Sequence, residues 1–254
     1  MSRILETIEL SKRFNGFSAL RSISIALKAG DIHAIIGPNG AGKTTLFNLL
    51  SGVYRCSEGK VIFLEEEITD LKPYQISIMG MARTFQNICL FPKMSVLENV
   101  MVGRHVHSDT SLFKIVLSPP FRKSASEVKI QKKAEEILDF VGLYRQREQV
   151  ASSLPYGDQR RLEVARALAT EPRLLLLDEP VAGMNPNETE SVLDLIKKIE
   201  SLGITILLIE HDMKLVMGLA RQITVLNFGE KIAEGSPNEI QNNQRVIEAY
   251  LGTE

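Results

Sequence analysis

The stretch Gly37-Pro38-Asn39-Gly40-Ala41-Gly42-Lys43-Thr44 fits the pattern GxxxxGK(S/T) and decides the fold of this 254-residue chain. An isoleucine-rich run from Ile32 to Ile36 precedes it and predicts a buried strand, while the apolar pattern from Lys43 to Ser51 predicts a helix. A glycine-rich turn in that setting directs backbone N–H groups and a helix N-terminus toward a bound phosphate. The alternative is an ordinary glycine-rich turn, but a chance match in a chain of this length is roughly a one-in-a-hundred event.

This loop supplies a phosphate site and part of a magnesium site. Lys43 brings a full positive charge to the β- and γ-phosphates of a nucleoside triphosphate, and the hydroxyl of Thr44 is a ligand for Mg²⁺. The candidate phosphate-binding residues are Gly37, Pro38, Asn39, Gly40, Ala41, Gly42, Lys43, Thr44 and Thr45.

Two carboxylates follow a second buried strand. The run Leu174–Leu177 predicts the strand, and Asp178 and Glu179 come at its carboxyl end, where ligands bind in open α/β sheets. Asp178 is the candidate Mg²⁺ ligand, directly or through water, and Glu179 is the candidate base that polarises the attacking water. A solvated acidic turn after a core strand is the alternative, and the phosphate loop makes it the weaker one.

A histidine and a glutamine complete the candidate site. His211 follows the apolar run Ile204–Ile209, so its imidazole can reach a γ-phosphate and orient the water at Glu179. By itself it would more often be a histidine at a helix start. Gln86 follows Phe85 and can reach the metal or its water, although a lone glutamine is weak evidence.

The bulk composition limits the function classes. Lys plus Arg total 30 and Asp plus Glu 31, which argues against nucleic-acid binding through bulk charge. The two cysteines do not form a CxxC pair, so neither a zinc site nor a disulfide framework is expected. No apolar run reaches the length of a membrane span and the N-terminus lacks the features of a secretory signal, so any membrane role is expected to act through a partner protein.

The chain reads as one α/β domain with an inserted lobe. Residues 1–87 and 166–254 carry the strand patterns of the core, with β-rich segments at the N-terminus and strands alternating with helices after Leu174. Residues 88–165 are predominantly helical in pattern and form the predicted lobe. One helical face there is formed by Ile130, Ala134, Ile137, Leu138 and Val141.

The order of these motifs resembles the nucleotide-binding domain of ABC transporters over essentially the whole chain. It includes Leu154-Pro155-Tyr156-Gly157-Asp158, which lies where that family has its signature loop. The resemblance implies a P-loop NTPase core with a mixed, mainly parallel sheet, an N-terminal antiparallel β subdomain and an inserted α-helical lobe. It also implies hydrolysis of ATP with Mg²⁺ in a head-to-tail dimer, where the phosphate loop of one subunit faces the signature loop of the other. An aromatic side chain that stacks on adenine is expected at Phe14, with Phe17 as the competitor and a core role open for either.

The signature loop departs from the family's LSGGQ pattern. Only Leu154 and Gly157 match, while Pro155 replaces the usual serine, Tyr156 a glycine and Asp158 a glutamine. The Gly157 N–H and the dipole of the helix that begins near Asp158 still face the opposing nucleotide, so we expect a functional but weaker composite site.

Two neighbouring arginines bear on that charge. Arg160 and Arg161 either offset the added negative charge of Asp158 or, as is more common, lie on the helix surface. Farther along, Asn185 replaces the aspartate that the family usually has in its D-loop, and a role as the N-cap of the next helix explains it sufficiently.

Within the family, the runs at residues 154–163 and 179–186 and the C-terminus resemble the ATPase subunits of branched-chain amino-acid importers. An extended segment between Arg104 and Glu127 agrees with that subgroup. The resemblance implies a second ATPase subunit, two membrane-spanning permease subunits and a periplasmic binding protein, with the chain cytoplasmic and peripheral on the inner membrane face. Importers of urea or amides, lipopolysaccharide exporters and non-transport ABC ATPases remain the alternatives, whereas a GTPase would need an Asn-Lys-x-Asp base reader.

Overall fold

Two β-sheets and surrounding helices make up residues 2–105 and 125–251, the part of the chain that the computed structural model describes. The strands are β1 (Arg3–Phe14), β2 (Phe17–Lys28), β3 (Ile32–Ile36), β4 (Glu58–Phe63), β5 (Glu66–Glu67), β6 (Met81–Arg83), β7 (Leu174–Asp178), β8 (Thr205–Ile209), β9 (Gln222–Asn227) and β10 (Glu230–Gly235). The helices are α1 (Lys43–Leu50), α2 (Pro73–Ile78), α3 (Val96–Arg104), α4 (Ala125–Phe140), α5 (Tyr156–Leu168), α6 (Pro186–Ser201), α7 (Met213–Leu219), α8 (Pro237–Gln241) and α9 (Gln244–Leu251).

The larger sheet sets the position of the candidate site. Its order in the described chain is β10-β9-β3-β8-β7-β6, with β10 antiparallel to β9 and the other neighbours parallel. Ile209 at the end of β8 pairs with Ile35 on one side and with Asp178 on the other. The segments that follow β3, β7 and β8 therefore start at one edge of the sheet. This confirms the predicted mainly parallel sheet.

The smaller sheet is antiparallel, in the order β2-β1-β4-β5 within the described residues. Its first two strands are joined by Asn15 and Gly16, which both have positive φ (46° and 89°), as the favoured two-residue hairpin turns require. That turn places Phe14 opposite Phe17. The sheet packs over α1, where Phe47 is fully buried, and so holds the helix that follows the phosphate loop.

The core of the larger sheet consists of apolar runs that are inaccessible to water. All four leucines of Leu174–Leu177 are fully buried, and each such side chain stabilises the fold by about 2–3 kcal/mol relative to an exposed one. Parallel strands covered on both faces have this continuous apolar pattern.

The helical lobe is built on α3, α4 and α5. The predicted helical face is confirmed, since Ile130, Ala134, Ile137 and Leu138 of α4 are buried, as is Val141 directly after the helix. The lobe's apolar cluster is continuous with β7 and α6, and it includes Val100, Leu175 and Val192. The boundaries of the lobe at residues 88 and 165 stay a prediction. Most of the extended segment expected between Arg104 and Glu127, residues 106–124, lies outside the described residues.

Three features of the fold were not predicted from the sequence. The short strand β6 was not predicted, because a run of Met-Ala-Arg is too short to show alternation. The helix α5 begins at Tyr156 rather than near Asp158. The chain also ends in the hairpin partner β10 and two short helices. Within the ranges described, none of the helices is both long and apolar enough to span a bilayer.

Candidate active site

The phosphate loop leaves β3 through two glycines that no other residue could replace without strain. Gly37 has a φ of 151°, and a Cβ there would lie 2.1 Å from the Leu226 carbonyl oxygen on β9. Gly42 has a φ of 102°, and a Cβ there would lie 2.6 Å from a methyl carbon of Leu20. These contacts hold the loop close to β9 and β2, and Gly42 is the N-cap of α1.

Lys43 occupies the inside of this loop. Its Nζ donates hydrogen bonds to the carbonyl oxygens of Gly37 (2.7 Å) and Pro38 (3.0 Å). Burial lowers the pKa of Lys43, while the carboxylates of Glu179 and Asp178 act to raise it. An ammonium group held by two carbonyl oxygens beside two carboxylates is placed to exchange those partners for phosphate oxygens.

The outer side of the loop is open to solvent. Asn39, Gly40 and Thr44 are exposed, and Pro38 and Thr45 are half-buried. The predicted phosphate-binding residues therefore form a loop that a triphosphate can approach from outside.

Asp178 is buried and bound by an arginine that the sequence reading did not identify. Its Oδ2 accepts a hydrogen bond from Arg83 at 3.0 Å, and both side chains are almost inaccessible. Burial raises the pKa of Asp178, and Arg83 counteracts that rise. Arg83 also donates to Asn48 (2.7 Å) and Ser51 (3.0 Å) at the end of α1.

The same arginine lies near two aromatic rings. Its guanidinium carbon is 5.5 Å from the Phe47 ring centre and 5.1 Å from that of Phe85. Both are within cation–π distance. Arg83 thus ties Asp178 to α1 and to the segment that carries Gln86. The sequence contained one signal for it, a basic residue at the end of an apolar strand.

Glu179 is the point where three predicted residues meet. Its Oε2 accepts a hydrogen bond from Gln86 Nε2 at 3.3 Å and lies 3.9 Å from His211 Nδ1. The Glu179 N–H donates to the Ile209 carbonyl oxygen at 3.0 Å, and its φ is 48°. The structure brings Lys43, Asp178, Glu179, Gln86 and His211 to one edge of the sheet, although their individual roles stay predictions.

Glu210, between the end of β8 and His211, is a further buried acid at the site. It accepts hydrogen bonds from the N–H groups of Val181 (3.4 Å) and His211 (3.1 Å). Burial raises its pKa despite these hydrogen bonds. It joins the segment after Glu179 to the segment that carries His211, so it fixes the relative position of those two side chains.

The aromatic candidates for adenine lie at the hairpin between β1 and β2. Phe14 makes an edge contact with Tyr54 (5.4 Å between ring centres), and Lys12 Nζ lies 4.8 Å from its ring. Phe17 is more exposed, at 69% against 38% for Phe14. Neither is a core residue, which removes the core alternative.

The signature loop runs from the buried Leu154 through Pro155, the N-cap of α5, into the first turn of that helix. The Tyr156 ring packs on Gly183, where a Cβ would lie 3.8 Å from it. A Cβ on Gly157 would lie 3.0 Å from Glu188 Oε1 in α6. The loop therefore rests on the segment that joins β7 to α6.

Both arginines next to this loop are paired with acidic side chains of the same helix. Asp158 is paired with Arg161, which offsets its negative charge as one of the two alternatives proposed. Arg160 is not a surface residue, since its side chain is 5% exposed and paired with Glu163 at 3.2 Å. Asn185 is the predicted N-cap, because its side chain accepts from the N–H groups of Asn187 and Glu188, both at 3.0 Å.

The predicted magnesium ligands fit that metal by chemistry. Thr44, Gln86 and Asp178 offer a hydroxyl, an amide and a carboxylate oxygen, the hard donors that Mg²⁺ accepts together with water and phosphate. In the parts of the chain with described coordinates, no cluster of three or more His, Cys, Asp or Glu side chains offers a metal site made by protein alone. Such a sparse donor set is typical of Mg²⁺ bound with a nucleotide.

A groove of about 340 Å³ lies between the core and the lobe, next to this site. Its lining is mainly apolar and includes Val53, Ile76, Phe85 and Phe91. The guanidinium carbon of Arg166 lies 5.7 Å from the Phe91 ring centre, and Phe91 is 43% exposed. Phe91 therefore lies on the groove and not in the lobe interior.

Known proteins match the chain in sequence. A family described as ABC transporter matches residues 20–182, and one described as branched-chain amino acid ATP-binding cassette transporter matches residues 230–254. The high-affinity branched-chain amino acid transport ATP-binding protein LivG of Salmonella typhimurium is 46% identical over 245 residues, 96% of this chain and 95% of its own length. The protein BraF of Pseudomonas aeruginosa, which has the same description, is 44% identical and covers 99% of both chains.

Solved structures match the whole chain as well. The ADP conformation of an ATP-binding cassette of an ABC transporter has a TM-score of 0.86 and 32% identity, and the match covers 100% of both chains. A dimeric bacterial ABC transporter cassette has a TM-score of 0.77 and 26% identity, and the match covers 92% of this chain and 99% of that one.

Proposed function

Because the chain belongs to the ABC transporter family, we propose that it is the ATP-hydrolysing subunit of an importer for branched-chain amino acids. The observation that carries the chemistry is the meeting of Lys43, Glu179, Gln86 and His211 at one sheet edge. The transported molecule does not contact this subunit, so the substrate class rests on the names of LivG and BraF and on residues 230–254.

The reaction is ATP + H₂O → ADP + phosphate. Backbone N–H groups of residues 37–44 hold the phosphates, and Lys43 exchanges its carbonyl partners for β- and γ-phosphate oxygens. Glu179 accepts a proton from the attacking water, and its Oε2 is already oriented by Gln86. His211, 3.9 Å from that carboxylate, donates a hydrogen bond to the γ-phosphate and holds the water in line.

Bound Mg²⁺ would supply positive charge against the negative charge that develops on the leaving group. Thr44, Gln86 and Asp178 would hold it together with water. Asp178 would contribute its carboxylate directly or through water, while its Oδ2 accepts a hydrogen bond from Arg83. Arg83 keeps that carboxylate oriented and counteracts the rise in its pKa that burial causes.

A second ATPase subunit completes each site. Residues 154–158 face the nucleotide of the partner. Pro155 has no hydroxyl to donate, so the Gly157 N–H supplies the hydrogen bond and the N-terminus of α5 supplies its dipole. The pairing of Asp158 with Arg161 removes the repulsion that a free carboxylate would exert on the γ-phosphate. Loss of the γ-phosphate removes the contacts that join the subunits, and the dimer opens.

The opening is passed to two permease subunits through the groove between core and lobe. Its apolar lining suits a short amphipathic helix, and its position next to Gln86 links that helix to the state of the nucleotide. The chain would thereby be held at the inner face of the membrane, with an extracytoplasmic binding protein delivering the amino acid on the far side. Other ABC systems, such as urea importers, remain the alternative.

Reconstitution with the two permeases, the partner ATPase and the binding protein tests this function. We expect ATP-dependent uptake of leucine, isoleucine and valine but not of urea. Lys43→Ala should abolish uptake and weaken ATP binding by the isolated chain by about a hundredfold, because a charged phosphate contact is worth about 1.5–3 kcal/mol. Lys28→Ala, at the exposed end of β2, is the matched control. Unchanged ATP affinity in Lys43→Ala would contradict the phosphate-loop assignment.

A further inference from the structure

Arg160 is a buried arginine that contacts two functional loops at once. On one side it donates to the carbonyl oxygens of Phe85 (2.7 Å) and Gln86, the segment that reaches Glu179. On the other side it donates to the hydroxyl of Tyr156 through Nη2 (3.1 Å) and Nε (3.3 Å). A single guanidinium group therefore joins the segment Phe85–Cys89, here named the Gln86 loop, to the signature loop.

Glu163, one turn farther along α5, binds backbone N–H groups of the same segment. Its Oε1 accepts from the N–H groups of Phe85 (3.2 Å) and Cys89 (3.4 Å), and its Oε2 accepts from Arg160 (3.2 Å). The pair is 5% and 2% exposed. Because a buried ion pair is costly unless its remaining hydrogen bonds are made, these backbone contacts are what make the pair tolerable.

The contact also extends past the signature loop. The Tyr156 ring packs on Gly183, in the segment that follows Glu179. Tyr156 stands where the family pattern has glycine, and neither a glycine nor an alanine there could accept a hydrogen bond from Arg160. The departure from the usual pattern thus supplies one partner of the arginine.

We propose that Arg160 is a positioning residue that makes the Gln86 loop and the signature loop move as one body. The inference rests on the proposed function and deepens it. Gln86 belongs to the chain's own ATP site, whereas residues 154–158 belong to the site of the partner. A displacement of Gln86 by nucleotide or permease is carried through Arg160 to Tyr156, so the two sites of the dimer are coupled within one chain.

A lysine at position 160 could not make all of these contacts. A guanidinium group presents five N–H donors in a fixed plane, and here they are distributed over two carbonyl oxygens, a hydroxyl and a carboxylate. An ammonium group on a flexible stem could not span the same partners. Arg160→Lys therefore keeps the charge and removes the bridge.

The chain contains a natural reporter for the test. Cys89 is exposed at the end of the Gln86 loop, and its N–H is held by Glu163. With Cys56→Ser, which removes the other cysteine, a nitroxide spin label on Cys89 reports the mobility of this loop by electron paramagnetic resonance. We expect faster motion in Arg160→Lys, and a smaller change in the same direction in Tyr156→Phe. The double variant should equal Arg160→Lys alone.

Arg147→Lys is the matched control, because Arg147 lies over the Tyr144 ring (4.5 Å) and beside Glu148 (3.3 Å) in the same lobe but is part of neither loop. It should leave the spectrum unchanged. An unchanged spectrum in Arg160→Lys, or additive effects of the two substitutions, would overturn the proposal. Tyr156→Phe removes one hydroxyl from a partly exposed side chain, so it decides the question even if Arg160→Lys does not fold.

Kinetics supply the second readout. In the assembled transporter we expect Arg160→Lys to lower kcat by about tenfold with little change in KM, since small misplacements of catalytic groups cost rate rather than binding. The ATP affinity of the isolated chain should stay as in the wild type. A collapsed lobe would instead lower both kcat and ATP affinity. The spin-label result needs no ATP hydrolysis, so failure of the proposed function and failure of the coupling are told apart.

Discussion

Glu179 holds its backbone in the left-handed region, with a φ of 48°. For a residue with a side chain this costs about 1–2 kcal/mol, and the surrounding structure must compensate. The Ile209 carbonyl oxygen and the Gln86 amide supply that compensation, and they aim the carboxylate at the sheet edge where the phosphates would lie. Strain of this kind persists where function requires a particular direction of a side chain.

Glu179→Gln tests the role of this carboxylate. The amide keeps the size of the side chain but accepts no proton, so we expect turnover to fall by about a hundredfold or more while ATP binding is kept. The variant should accumulate as an ATP-bound dimer, which size-exclusion chromatography with light scattering will detect.

Glu230→Gln, in an exposed pair with Arg21, is the matched control and should hydrolyse ATP normally. Normal turnover in Glu179→Gln would remove this residue from the role of base.

At the level of helices and strands, the sequence predicted what depends on local pattern. The leucine run of β7, the face of α4 and the Asn185 cap were all predictable, because burial and capping repeat at short spacing. The partners of Asp178 and Arg160 were not, because they join residues 95 and 75 positions apart. Such contacts depend on how the lobe folds back on the sheet.

His33 on β3 shows an effect of strand pairing on stability. Its Nε2 lies 2.8 Å from the Thr224 hydroxyl on β9, and burial, helped by the charge of Lys231, lowers its pKa to about 4. Between pH 6.5 and 4 the unfolded chain binds this proton and the folded chain does not. Stability therefore falls as the pH is lowered through that range, by about 3 kcal/mol in total from this group.

His33→Gln keeps a hydrogen-bonding side chain and removes the titration. We expect the free energy of unfolding, measured with urea from pH 6.5 to 4.5, to fall less steeply than in the wild type. Equal slopes for His33→Gln and the wild type would rule out the buried imidazole as the cause.

At the scale of the whole molecule, the groove between core and lobe is the surface that we propose binds the membrane partner. Phe85 and Phe91 line it beside Arg83 and Arg166, so the surface offered to a permease contains the same arginine that holds Asp178. A helix bound there would contact residues directly connected to the nucleotide site. The proposed coupling between the permease and the nucleotide site therefore needs no long path through the protein.

Phe91→Ala should weaken association with the permease subunits by about tenfold, because an aromatic anchor in such a groove contributes about 1–2 kcal/mol or more. ATP binding by the isolated chain should be unchanged. Co-purification from detergent measures the association, with Phe228→Ala as the control, since Phe228 is 82% exposed on the turn between β9 and β10 and is not part of the groove lining. Undiminished co-purification of Phe91→Ala would place the permease contact elsewhere.

The apolar cluster shared by the lobe, β7 and α6 has a consequence for protein engineering. A chimaera that exchanges only residues 88–165 with those of a homologue would set foreign side chains against Leu175, Leu177 and Val192. Close packing at that seam tolerates few mismatched volumes, so the graft must include the facing residues of the recipient. The lobe and the sheet it packs on are therefore one unit, and a lobe transferred alone would not fit a new recipient.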